Sequence, residues 1–61
     1  MTKQERRSAD NAFQHLRLDN DGAAARTIAS IIRSSMARDI RGDLVAYAAK
    51  QGVELKIGGA A

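Results

Sequence analysis

Apolar side chains along residues 4 to 18 recur at helical intervals. Ala9, Ala12, Phe13 and Leu16 fall at i, i+3, i+4 and i+7, and no Gly or Pro interrupts them. This predicts a first helix, with Leu18 off the stripe and packing where the chain leaves it. Glu5 suits the positive end of the helix macrodipole, but Arg6 and Arg7 oppose it, so the opening turn is expected to fray. Asp19-Asn20-Asp21-Gly22 then reads as a turn, three residues that hydrogen-bond their own backbone followed by one that tolerates positive φ. Asp21 or Asn20 would cap the next helix. From Ala23 to Asp39 there is again no Gly or Pro; Ala25, Ile28, Ala29, Ile32 and Met36 form a stripe, flanked by Ile31 and Ile40. Thr27 and the β-branched isoleucines each reduce helix propensity by about a few tenths of a kcal/mol. The periodicity is nevertheless helical.

If that helix continued past Asp39, Leu44 and Val45 would turn toward Arg26, Arg33 and Arg41, away from the isoleucines. Gly42 therefore marks a break, with Asp43 as N-cap of a short third helix over 44–51. Gly52 closes it in the left-handed conformation and Val53 supplies the apolar contact that follows. Val53 to Ile57 alternates apolar and charged residues, the period of a short C-terminal strand for which the chain offers no partner. Residues 58–61 read as a flexible tail. Asp39 falls on the apolar side of helix two, where an unpaired carboxylate is costly. Either it stands at a helix end, or Arg38, Arg41 or a partner's arginine satisfies it across a twofold interface. The expected fold is all-α: a helical hairpin plus a short third helix, in one small domain spanning 1–57.

Composition adds a constraint on size. Of 27 hydrophobic residues in the 61-residue chain 12 are Ala, leaving 15 with bulk. A domain this short buries only about 60% of its unfolded surface. With no Cys, Trp or Pro, neither disulfides nor a cysteine-based metal site can compensate. Association with a second copy remains, so a homodimer is expected. No apolar run is long enough to span a membrane, and the basic residues Lys3, Arg6 and Arg7 are not followed by a leader-like apolar segment. A cytoplasmic location is the expectation. The net charge of +3 is concentrated in residues 1–18, which carry four basic and two acidic groups.

Candidate chemistry is sparse. Asp19 to Gly22 resembles the middle of an EF-hand loop, but aligning Gly22 with loop position six puts Arg17 and Ile28 where carboxylates belong. Arg41-Gly42-Asp43 resembles the integrin-binding tripeptide, yet reads as an interhelix turn without the extracellular setting that recognition needs. His15 is the single histidine, without a second at i+4, and no glycine-rich phosphate loop occurs. Fifteen bulky apolar residues are too few to enclose a pocket of several hundred cubic ångströms. No catalysis, cofactor, metal or small-molecule substrate is therefore expected.

What remains is action by surface occupation. The sequence points to a small adaptor of the phage or bacterial accessory type that binds another protein and regulates or inhibits it. Phe13, Leu16, Ile28, Ile32, Met36 and Tyr47 would serve self-association or the partner. Tyr47 has the amphipathic character of an interface hot spot and suits a core position equally. The alternative is a DNA-binding regulator in which Arg26, Arg33 and Arg38, with the arm of Lys3, Arg6 and Arg7, grip phosphates. Against it, no aromatic is placed to stack on bases, and Arg38 occupies the position where a helix-turn-helix needs a small residue. A membrane-surface role for helix two is opposed by Asp39 on its apolar side.

Overall fold

The computed structural model describes residues 1–55. They form three helices, α1 (Lys3–Arg17), α2 (Asp21–Ser34) and α3 (Ile40–Lys50), with no strand among the described residues. α1 does not open on a loose turn. Thr2 and Glu5 make a capping box: the Thr2 N–H donates to Glu5 Oε1 at 2.8 Å, and the Glu5 N–H donates to Thr2 Oγ1 at 3.1 Å. Two amide donors that would otherwise lack partners are satisfied together, which outweighs the unfavourable charge of Arg6 and Arg7.

At its other end α1 closes on Asp19, not on a glycine. Asp19 has φ 59°, the Asn20 N–H donates to the His15 carbonyl at 2.8 Å, and the Asp19 N–H donates to the Leu16 carbonyl at 3.1 Å. This is a Schellman closure, with an aspartate in the left-handed region that Asp tolerates better than most residues. Gly22, expected to supply the positive φ, instead lies in the first turn of α2. Leu18 does not pack at the helix exit; it is 73% exposed.

α2 departs from expectation in phase and in length. Its buried residues are Ala24, Ile28 and Ile31, whereas Ala25 and Ala29 are exposed, Ile32 is half-buried and Met36 is 98% exposed. Both stripes have helical spacing, and contact with α1 selects the one containing Ile31. The helix stops at Ser34, five residues short of Asp39. The Ser34 hydroxyl donates back to the Ser30 carbonyl at 2.9 Å, and the extended Ser35 accepts the Ala37 N–H on its own hydroxyl at 3.1 Å. Paired serines thus offer the backbone a non-helical alternative.

The phase break consequently falls at 35–39 and not at Gly42. Asp39 is the N-cap of α3 and accepts the Gly42 N–H at 3.2 Å, so Asp43 lies within the helix rather than capping it. A Cβ on Gly42 would sit 2.8 Å from the Asp39 Cγ. A side chain at position 42 would therefore have to displace the Asp39 cap. Starting at Ile40, α3 buries Ile40, Leu44 and Ala48 along one side. It ends as the sequence suggests, one residue early: Gly52 has φ 74°, and the Val53 N–H donates to the Ala48 carbonyl at 2.8 Å. The described part of the C-terminal alternation, Val53 to Leu55, forms no strand, and Val53 and Leu55 pack against the core. Lys56, Ile57 and the tail lie outside the described residues.

Phe13 and Leu44 are the two large side chains wholly enclosed, surrounded by Ala9, Ala12, Ile28, Ile31, Ile40 and Ala48. Tyr47 covers this cluster, its ring centroid 5.8 Å from that of Phe13, and donates its hydroxyl to Asp10 Oδ1 at 2.8 Å. Arg17 donates to the Gln51 carbonyl at 3.1 Å, joining the ends of α1 and α3.

Two expectations test the caps. Asp19→Gly removes the left-handed strain at some entropic cost in the unfolded chain, and should raise stability by about 0.5 kcal/mol in urea unfolding; a lower midpoint would rule out this account of the turn. Gly42→Ala should be near neutral in the native chain, because a propensity gain of about 1 kcal/mol is offset by displacing a cap of similar worth. In an Asp39→Ala background the same substitution should stabilise by about 1 kcal/mol, a non-additivity that a double-mutant cycle measures directly.

Candidate interaction surface

An open groove of about 850 Å³ runs between the first turns of α1 and the later part of α2, ending at Met36 and Ala37. Its floor includes Ile31, and its walls carry Thr2, Glu5, Ser8, Arg26 and Ser30. Glu5 is held in its charged form: the Thr2 backbone N–H lowers its pKa most, and the Ser35 hydroxyl adds to this. That carboxylate is already committed to the α1 cap and to the junction with the end of α2. The other polar groups named are hydroxyls and one guanidinium, a set suited to hydrogen bonding. Among the described residues no group of three or more His, Cys, Asp or Glu is arranged to hold a metal ion. No helix of the described residues is long and apolar enough to cross a membrane.

The fold separates the residues that sequence reasoning grouped for association. Phe13 is 1% and Ile28 8% exposed, so both belong to the core of the single chain. Leu16, Ile32 and Tyr47 are half-buried and pack against that core, leaving only edges for a partner. Met36 stands free in the α2–α3 connection. Arg26, Arg33, Arg38 and Arg41 are all exposed. They do not form the continuous helical stripe the spacing suggested, because Arg26 and Arg33 lie on α2, Arg38 in the connection and Arg41 on α3.

Sequence reasoning missed Leu18 and Val45, exposed at 73% and 43%. Leu18 was legible only through the end of α1, which depends on an aspartate adopting positive φ. Val45 follows from moving the start of α3 to Ile40, which turns Leu44 inward and its neighbour outward. Comparison with family models, curated proteins and solved structures finds no match to this chain.

The Tyr47–Asp10 contact carries a pH dependence. The hydrogen bond to Asp10, with burial and the carboxylate charge, raises the Tyr47 pKa above its ordinary value of 10.0. A raised folded-state pKa stabilises the protein below the unfolded value and loses that contribution as pH rises through the folded value. Thermal unfolding followed by circular dichroism should therefore show a steeper loss of Tm above about pH 10 for the native chain than for Tyr47→Phe. Parallel curves would show that the bond adds no such linkage.

Proposed function

We propose that this chain is a small non-enzymatic adaptor: a helical hairpin of α1 and α2, backed by α3, that works in the cytoplasm as a homodimer and binds another protein to regulate or inhibit it. The observation that carries the reading is the placement of Met36, 98% exposed beside the groove, with Leu18 exposed at the other end of α2. A chain short of apolar bulk gains nothing for its own fold from a methionine in water. A flexible thioether side chain there suits an adaptable contact with a partner. Single exposed apolar residues are ordinary; the reading draws its weight from Met36 together with Leu18, Ile32 and Met1.

A second reading is favoured by the exposure of Arg26, Arg33 and Arg38 on and after α2. They would contact nucleic-acid phosphates, with affinity falling steeply as salt rises. Affinity capture from host lysate, with and without nuclease, separates the two. The adaptor should retain a protein after nuclease treatment, and Met36→Asp should reduce the amount retained about tenfold, the effect of losing an interface anchor, without changing Tm. Retention abolished by nuclease, together with salt-sensitive binding of duplex DNA, would replace the adaptor reading with the second one.

A further inference from the structure

Resting on the self-association part of that reading, we infer that two copies of this chain associate by exchanging α3. In each chain α2 and α3 join into one helix through residues 35–39, and Leu44 and Tyr47 cover Phe13 of the second copy. The connection Ser35-Met36-Ala37-Arg38-Asp39 contains neither Gly nor Pro, and Met, Ala and Arg are strong helix formers. What interrupts the helix is mostly local. The Ser35 hydroxyl accepts the Ala37 N–H at 3.1 Å and faces Glu5 of α1, and the Asp39 carboxylate accepts the Gly42 N–H at 3.2 Å. Residues 36–39 are all exposed, Met36 at 98%, so straightening the connection gives up little burial there. It gains hydrogen bonds, because a continuous helix pairs main-chain groups that two separate helix ends leave over.

The phase of the joined helix is what calls for a second copy. At about 100° per residue, Leu44 comes to lie about 160° round the helix axis from Ile28. A joined helix running from Asp21 to Lys50 is about 45 Å long and carries α3 clear of its own hairpin. Straightening within one chain therefore takes Leu44 off Phe13 and leaves both in water. In a pair, each hairpin receives the other chain's α3. The burial of Leu44, the Tyr47 ring 5.8 Å from that of Phe13, the Tyr47 hydroxyl on Asp10 and the Arg17 bond to the Gln51 carbonyl all tie the segment beyond the connection to the hairpin before it. Exchange remakes each of them between chains, with no apolar surface beyond the core that one chain already has. That economy suits a chain with 15 bulky apolar residues. The closed monomer keeps its serine and aspartate bonds and the freedom of a separate molecule, so it prevails when dilute.

Phe13 and Tyr47 are the only Phe and Tyr of the chain, so their contact is a direct reporter of exchange. Isotope-labelled and unlabelled chains are unfolded together, refolded at high concentration, and examined by isotope-filtered nuclear Overhauser spectroscopy. A Phe13–Tyr47 cross-peak between labelled and unlabelled chains is the expected result. Sedimentation velocity from about 1 µM to 1 mM should show the native chain passing from monomer to dimer. Ser35→Ala removes a hydroxyl that holds the break and adds helix propensity, and should strengthen the dimer about tenfold. Met36→Pro bars the joined helix, while the extended backbone of Ser35 is what a residue before proline adopts. It should abolish the dimer and keep the helical circular dichroism of the native monomer. A dimer without the cross-chain peak, or one that survives Met36→Pro unchanged, overturns the exchange and leaves the homodimer standing. A native chain that stays monomeric throughout overturns the exchange and the homodimer together.

Discussion

The structure depends on where α2 stops. Were residues 23–39 one helix, Leu44 and Val45 would point toward the arginine side and Phe13 would lack its cover. The chain avoids this with a pair of serines, whose hydroxyls bind backbone at Ser30 and Ala37, and with Asp39, which recaps five residues after the helix ends. Each interaction is worth only about 1 kcal/mol. Together they set the rotation of α3 and so decide which side of it, Ile40, Leu44 and Ala48, reaches the core.

That core has little redundancy. Four of its nine buried apolar residues are alanines, which bring the helices close but contribute little area. Burial is therefore concentrated in Phe13, Leu44 and three isoleucines. Truncating either Phe13 or Leu44 to alanine costs about 2–5 kcal/mol, against a total near 3–9 kcal/mol for a domain of this length. The capping networks at Thr2–Glu5, Asp19 and Gly52 consequently matter more here than in a larger domain. So does Tyr47, whose ring lies on Phe13 while its hydroxyl reaches Asp10 at the surface.

What the sequence revealed and what it hid follow from these energies. Three helices, the closure at Gly52 and the inward side of α1 were readable, because each has a strong local signature. The capping box was readable too, in Thr2 and Glu5 three residues apart, but the charges of Arg6 and Arg7 drew the inference toward a frayed start. Helix two misled for a different reason. Its alanines and isoleucines make two overlapping apolar stripes, and helical spacing alone does not choose between them. Only contact with α1 does, so the core stripe was shifted by one residue and Met36 was assigned to an apolar side it does not occupy. The arginine stripe was lost with the same helix end. Met36 could not be placed before the break at 35–39 was known, nor Leu18 before the left-handed turn at Asp19.

The two stripes on α2 also account for the chain's economy of bulk. A helix committed to one partner needs one apolar side and a polar remainder, as α1 has. α2 buries Ala24, Ile28 and Ile31 and still presents Ala25, Ala29 and Ile32 next to them, so its apolar surface is wider than the core of one chain consumes. The excess is built mainly from alanine. Each alanine leaves only a methyl group in water, so the unused width exposes far less hydrocarbon than leucines at the same positions would. The limited bulk of the chain is thus spent where α1, α2 and α3 meet, on Phe13, Leu44 and the three buried isoleucines, and not on the outer side of α2.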